Sequence, residues 1–427
     1  MSPSFSDLGV PADLVDALAR RGISAPFEVQ AATIPDILAG RDVCGRAPTG
    51  SGKTVAFGIP LIARIGQAAP KKPKALILAP TRELAAQIQR ELEPLARARG
   101  RSVYAVYGGV SYDPQRRALR KGVDVLVACP GRLYDLVEQN AVRLDSVTTV
   151  VIDEAVRMAD MGFLPQVRKL LDETNESRQT ILFSATLDGA VAVLTREYQN
   201  NAARHEVGAK EPDITLAEHR FWKVEPGDRV ERTADLISAN GPTIVFCRTR
   251  HGVDRVVKVL EKTGVRAAAI HGGRSQGQRD RALRSFTDGQ VSALIATDVA
   301  ARGIHVDDVA CVVHFDLPAD SKDYQHRSGR TARAGASGLV VSLVANHQAR
   351  DARRLQRAAG IDGELVHPPK DAINVPRPVL TTPAPRTYEP ERSGRPGGRR
   401  GPQSRGPRRN SGNARNGGGH NSRRRSA

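Results

Sequence analysis

Apolar residues along this chain fall into short, unbroken, β-branched runs separated by longer segments with helical spacing. In the N-terminal half the runs DVCGRA, ALILA, SVYAVY, DVLVAC, TTVVID and TILFSAT are interleaved with KTVAFGIPLIARI and RELAAQIQRELEPLARA. A strand that is apolar on both faces is covered on both, and strand–helix alternation of this kind predicts βαβ units and a parallel sheet. The pattern lapses at GAKEP, residues 208–212, a composition suited to a linker. It restarts with TIVFCRT, HGVDRVVKVLEKTG, RAAAIHGG, QRDRALRSFTDG, SALIATD, ACVVHFD and GLVVSLV. Two α/β domains of similar plan are expected, over 1–207 and 215–365, joined by a linker at 208–214. Residues 366–427 hold too few large apolar residues to offset the entropy of ordering, and are expected to form a disordered Arg/Gly-rich tail.

Charge sharpens this picture. The chain of 427 residues carries 64 Lys/Arg against 46 Asp/Glu, a net +18. The tail holds 14 Lys/Arg and 3 Asp/Glu and so supplies +11 of it. Such an excess favours a polyanionic partner, nucleic acid before membrane. Aromatic residues make up only 4% of the chain, which argues against a base-stacking platform and for contacts to phosphate and sugar. Cys44, Cys129, Cys247 and Cys311 lie far apart in β-like runs, as expected of buried thiols in a reducing compartment. The N-terminal residues lack a cationic region followed by an apolar stretch, and no segment approaches the length of a membrane span. A cytoplasmic protein is expected.

Two segments carry candidate chemistry in the first half. Residues 47–54 read APTGSGKT, that is Ala47, Pro48, Thr49, Gly50, Ser51, Gly52, Lys53 and Thr54. Placed between strand and helix, such a loop turns backbone N–H groups toward phosphate oxygens. Lys53 neutralises the β/γ charge, and the Thr54 hydroxyl is placed to ligate Mg²⁺. Residues 153–156 read DEAV at the end of an apolar run; Asp153 would hold the metal and Glu154 orient the attacking water. The second half has no such loop. It carries HRSGRTAR at 326–333, where Arg327, Arg330 and Arg333 recur at i, i+3, i+6 and can present guanidinium groups to a γ-phosphoryl transition state; the interleaved Gly329 and Thr331 suggest a loop.

These motifs, in this order and spacing, resemble those of DEAD-box RNA helicases of superfamily 2, in particular the bacterial RhlE-like group, over about residues 5–345. The resemblance implies two RecA-like domains, ATP and Mg²⁺ as cofactors, and RNA bound through its backbone without sequence preference. In its terms Phe5 resembles the aromatic that stacks on adenine and Gln30 the glutamine that reads its amino edge, while Ala47–Thr54 match a phosphate loop that begins with Ala in this family. Pro80, Thr81, Arg82, Gly108, Gly109, Pro130, Gly131 and Arg132 match the first domain's RNA contacts. Arg248, Thr249, His271, Gly272, Gln278, Arg279 and Thr297 match the second domain's. Ser184 and Thr186 match the motif that links hydrolysis to strand separation, and Asp298, Arg302 and Gly303 the next motif, with Asp298 in the coupling and Gly303 at the nucleotide. His326, Arg327, Arg330 and Arg333 match the arginine-finger motif, with Arg330 and Arg333 as the catalytic pair.

Two positions depart from the family pattern. Val156 stands where the last Asp of DEAD is usual, a carboxylate that joins the SAT motif to the histidine matching His326. His305 stands where an Asp toward the ATP ribose is usual. An acceptor missing from a buried network costs about 1 to 3 kcal/mol. The expected activity is RNA-dependent ATP hydrolysis with local duplex unwinding or RNA–protein remodelling, with weakened coupling. An ATP-responsive RNA clamp or annealing chaperone is the alternative. A monomer acting with ribonucleoprotein or RNA-decay machinery is the expected context.

Overall fold

The computed structural model describes residues 3–368 apart from 49, 185, 188, 209–213, 302–305, 307–308 and 333–337. The tail from 369 onward and most of the expected linker therefore lie outside the described residues, as do Thr49, Arg302, Gly303, His305 and Arg333.

The first module is built on strands β1 Val43–Arg46, β2 Ala75–Leu78, β3 Val103–Val106, β4 Val125–Ala128, β5 Thr149–Asp153, β6 Gln179–Ser184 and β7 Ala203–Glu206. They form one parallel sheet in the order β3-β4-β2-β5-β6-β1-β7. The second module contains β8 Ala217–Lys223, β9 Thr243–Phe246, β10 Ala267–Ile270, β11 Ala293–Ala296, β12 Cys311–His314, β13 Gly338–Val344 and β14 Leu365–Val366. Its order, β10-β11-β9-β12-β13-β8-β14, repeats the first strand for strand, again all parallel. The unbroken apolar runs are the central strands. Each sheet has a hydrophobic cluster on either face, as expected where helices cover both sides. All four cysteines are buried thiols; burial pushes Cys129 and Cys311 up to about 12 and Cys247 upward as well.

Strands β7 and β8 carry polar sequences, ARHE and AEHRFWK, and β14 is only the dipeptide Leu365–Val366. Their hydrophobic pattern did not announce them, because β7 and β14 are edge strands with little burial and β8 buries only part of its length. What the topology does for function is simple. The phosphate loop follows β1, and Pro80, Gly108, Pro130 and Glu154 follow β2, β3, β4 and β5, so these segments share the carboxyl ends of one parallel sheet, where open α/β sheets bind ligands. Arg248, His271 and Thr297 follow β9, β10 and β11 in the same way.

Candidate functional site

The loop after β1 is shaped by its glycines. Gly50 and Gly52 have φ of 87° and 85°, a left-handed backbone that a side chain would strain. A Cβ on Gly52 would also collide with the Gln30 amide and lie 2.7 Å from Phe27 Cδ2. Gly52 caps the helix Lys53–Arg64, and its carbonyl accepts from Gln30 Nε2 at 3.0 Å. The other end of that amide accepts from the Phe27 N–H at 3.0 Å. Gln30 thus ties the start of the helix Glu28–Leu38 to the phosphate loop.

Inside the loop, Lys53 Nζ donates to Ala47 O at 3.0 Å and pairs with Glu154 Oε1 at 3.1 Å. Burial alone would lower the Lys53 pKa, but Glu154 and Asp153 outweigh it and the net shift is upward. Asp153, the last residue of β5, is 2% exposed, and its Oδ1 has no hydrogen-bond partner among the described residues. Burial, with the Glu154 charge beside it, lifts its pKa to about 7 against the pull of Lys53. Glu154 has φ 57°, a left-handed conformation that costs a non-glycine residue about 1 to 3 kcal/mol and is typical of functional corners. An orphaned, buried carboxylate oxygen near Lys53, with Thr54 as the next residue along, is a donor set of the hard-oxygen kind that suits Mg²⁺.

Val156 lies in the next turn. Its backbone N–H donates to Ser184 Oγ at 3.3 Å, and its side chain packs against the apolar cluster on that face of the sheet. Ser184 is fully buried at the end of β6, and Thr186 is half-buried two residues on.

Several residues matched to motifs have partners that the motif pattern does not disclose. Phe5 is 2% exposed and belongs to the first module's core, which corrects its reading as a nucleobase platform. The aromatic at this end of the loop is Phe27, 62% exposed and in contact range of Gly52. Thr81 caps the helix Arg82–Ala98, accepting from Leu84 N at 3.3 Å, and Arg82 lies so close over Gly109 that a Cβ there would collide with its guanidinium. Arg132 is a brace: both terminal nitrogens donate to Val110 O at 3.2 Å, and the guanidinium lies 3.8 Å from the centre of the Tyr112 ring. Pro130 and Gly131 open the helix Pro130–Glu138, with Pro at its first position, where the missing N–H is harmless.

In the second module Thr249 caps the helix Arg250–Lys262, Arg248 is exposed, and Gly272 lies against Arg250. His271 is buried and pairs with Asp254 at 3.0 Å. Gln278 completes a capping box with Ser275. Arg279 does not face outward as a nucleic-acid contact. It reaches the first module, 2.9 Å from Glu83 Oε1, where Gln276 Nε2 also donates at 3.2 Å. Thr297 is buried at the end of β11, and Asp298 holds Arg327 in a two-pronged pair at 2.6 and 2.7 Å. Arg327 is therefore a buried strut, not an exposed finger. Of the segment 326–333 suggested to be a loop, residues 326–328 close the helix Ser321–Ser328 and residues 329–332 form a turn and a bend, while 333 lies outside the described residues. His326 and Arg330 line a small recess with Asp298, Asp323 and Phe246.

The second sheet has a counterpart to the Lys53 corner. The helix after β8 begins with Arg229, as the helix after β1 begins with Lys53, and Arg229 Nη1 lies 3.5 Å from Asp316 Oδ1, two residues beyond β12. Arg229 also donates to the carbonyls of Phe315 and Leu343. Fold and site together define a RecA-like phosphate-loop protein in which only one of two like modules keeps the loop.

Known proteins share this plan. The DEAD/DEAH box helicase profile matches residues 27–193, and the helicase conserved C-terminal domain profile matches residues 228–335. CshA, a DEAD-box ATP-dependent RNA helicase of Bacillus subtilis, is 38% identical over 346 residues, covering 81% of this chain and 70% of its own. DEAD-box ATP-dependent RNA helicase 30 of Arabidopsis thaliana is 38% identical over 379 residues, covering 86% of this chain and 64% of its own. The chain thus spans about two thirds of the length of these relatives. The structure of Saccharomyces cerevisiae Dbp5 bound to RNA and ADP BeF3 matches with a TM-score of 0.75 at 26% identity, over 85% of this chain and 95% of that one. The chain belongs to the DEAD/DEAH box helicase family.

Proposed function

We propose that this protein is an RNA-dependent ATPase that unwinds short RNA duplexes locally or remodels RNA–protein complexes. The observation that carries the reading is the convergence of Lys53, Asp153 and Glu154 on one glycine-shaped loop in a chain of this family. Glycine conformations at 50 and 52 leave the loop's N–H groups room to face phosphate, and Lys53 supplies the charge there. Thr54 and Asp153 would hold Mg²⁺, which when bound neutralises charge on the transferring phosphoryl group. Glu154 orients water, and on ATP binding Lys53 exchanges Glu154 for phosphate. Phe27 and Gln30 lie where the base would be received. Arg330 and Arg333 are assigned to transition-state charge from the second module, with Gly303 beside the nucleotide.

RNA is assigned to a track formed by Pro80, Thr81, Arg82, Gly108, Gly109, Pro130 and Gly131 in the module of residues 1–207 and by Arg248, Gly272 and Thr297 in that of 215–365. Arg132 acts on this track by bracing the Gly109–Val110 turn. Ser184, Thr186, Val156, Asp298 and His326 couple the two ligands, and a valine at 156 weakens that coupling. A clamp or annealing chaperone without unwinding rests on the departures at Val156 and His305, the latter outside the described residues, and is the lesser reading. Placement in the RhlE-like branch, in the cytoplasm, and as a monomer serving ribonucleoprotein or RNA-decay machinery belongs to the proposal. Among the described residues no helix is long and apolar enough to cross a membrane.

The test is ATP turnover with and without single-stranded RNA, beside unwinding of a short duplex. RNA-stimulated turnover is the expected result; turnover indifferent to RNA would overturn it.

A further inference from the structure

The corner that holds Asp153 and Glu154 continues directly into the helix Ala155–Asp160. Met158 anchors that helix: its side chain is fully buried, its N–H donates to Glu154 O at 3.1 Å, and its carbonyl accepts from Phe163 N at 2.9 Å. Gly162, with φ 75°, closes the helix, and its N–H returns to Ala159 O at 2.9 Å. So short a helix, held at both ends, is fixed to the corner. Asp160 is its last residue, and Asp160 Oδ1 accepts from Lys322 Nζ at 2.8 Å, on the helix Ser321–Ser328 of the second module. That second helix carries His326 and Arg327 in its last turn, and Arg330 follows it.

Neither charge suits its own helix. The carbonyl end of a helix is partially negative and the amide end partially positive, so an aspartate in the last turn and a lysine in the first are each set against the local field. Between the modules the same placements agree. The carboxylate meets the amide end of Ser321–Ser328, and the ammonium meets the carbonyl end of Ala155–Asp160. Val156 stands one turn before Asp160 and His326 one turn after Lys322, so the pair lies on the helix faces that carry those two residues. The Lys322 and Asp160 side chains are 54% and 34% exposed, which limits such a pair to about a fivefold effect on an equilibrium and makes it sensitive to salt.

We infer that Asp160 and Lys322 are positioning residues: their ion pair ties the helix behind the hydrolytic corner to the helix that leads to Arg330, and so sets the second module over the nucleotide. This rests on the proposed RNA-dependent ATPase, and the experiment separates the two. Full-length Lys322→Glu and Asp160→Lys are compared with the double variant that carries both, by turnover across concentrations of single-stranded RNA. Each single change should raise the RNA concentration for half-maximal stimulation about three- to fivefold at low salt and leave turnover without RNA unchanged. Its melting temperature should be equal to or above that of wild type, because each new charge suits its own helix. The double variant should recover most of the loss, and at high salt all four proteins should converge. The contact is also read without turnover. The four native cysteines are buried, so Asp160→Cys with Lys322→Cys offers a short bismaleimide two accessible thiols. The link between them should form in the presence of single-stranded RNA and a non-hydrolysable ATP analogue, and is identified by peptide mass spectrometry. Single variants superimposable on wild type overturn the inference. So does a double variant as impaired as the singles, a loss equal with and without RNA, or absence of the cross-link. Wild-type turnover that ignores RNA while the cross-link forms would instead overturn the proposed function and leave the tie standing.

Discussion

Arg279, on a helix of the second module, lies 2.9 Å from Glu83 of the first, and both side chains are nearly excluded from solvent. Glu83 immediately follows Arg82 in the track assigned to RNA, so this ion pair joins the nucleic-acid surface of one module to the body of the other. Taking one partner away leaves the other buried and unpaired, which is strongly destabilising wherever the pair is formed. Arg279→Ala and Glu83→Gln are each expected to lower RNA-stimulated ATP turnover by about five- to a hundredfold, the range of 1 to 3 kcal/mol, with little change in nucleotide affinity. A double-mutant cycle measures this: the pair should be far from additive, and additive losses would mean that the two residues act separately.

Lys53→Ala should abolish ATP hydrolysis and also weaken the fold, because it removes the cation beside the buried Asp153. The destabilisation is on the order of 3 kcal/mol, as for other buried pairs broken on one side. Thermal melts beside single-turnover assays check both parts. A stable variant without activity would show that the corner rehydrates when the lysine is removed.

Asp153 titrates at about 7 in the folded protein against an ordinary 3.8, so between these values the native state holds a proton that the unfolded chain has released. Its stabilising contribution is therefore full below about 3.8, declines as pH rises, and is gone above about 7. Asp153→Asn should melt higher than wild type in metal-free buffer at about pH 8, and the difference should vanish toward about pH 4. An advantage at low pH alone would reverse the sign and refute the account.

Val156→Asp restores one acceptor at nearly constant volume beside Ser184. RNA-stimulated turnover and duplex unwinding should rise together by about one to two orders of magnitude for a regained interaction of about 1 to 3 kcal/mol. Basal turnover should move less. Equal gains in both rates would place the effect of position 156 on hydrolysis and not on its link to RNA.

Deletion of the basic tail should begin at residue 369, since Leu365 and Val366 form β14 and pair with Phe221 and Trp222. The shortened protein should melt like the full chain, bind RNA more weakly, and show a flatter salt dependence because fewer counterions are released. An unchanged salt slope would mean the tail does not touch RNA.

How far the sequence could be read depended on what each residue packs against. Central strands were legible because burial on both faces leaves an unbroken apolar run, while AEHRFWK of β8 was opaque because its charged and polar residues mask the burial of Phe221 and Trp222. The phosphate loop and the Asp153–Glu154 corner were legible as chemistry, since their residue types and order are set by the ligand. Partner choice was not. Arg132, Arg279 and Arg327 carry motif positions yet turn inward to Val110, Glu83 and Asp298, and nothing local in the sequence distinguishes an arginine that braces from one that binds. Phe27 could have been noticed as an aromatic three residues before Gln30, whereas the burial of Phe5 is settled by tertiary packing alone.

The Arg229–Asp316 corner sets the two like modules apart. Where the first module sets Lys53 beside Asp153 and Glu154 at the end of a glycine-shaped loop, the second has at the same place an arginine fastened to a carboxylate and two carbonyls. The loop above it, residues 224–228, carries Glu225 and Asp228 and repels what its twin attracts. The same strand order therefore carries a phosphate loop with its lysine in one module and an internally satisfied arginine in the other, so under the proposed function the chain has one place for a nucleotide and not two.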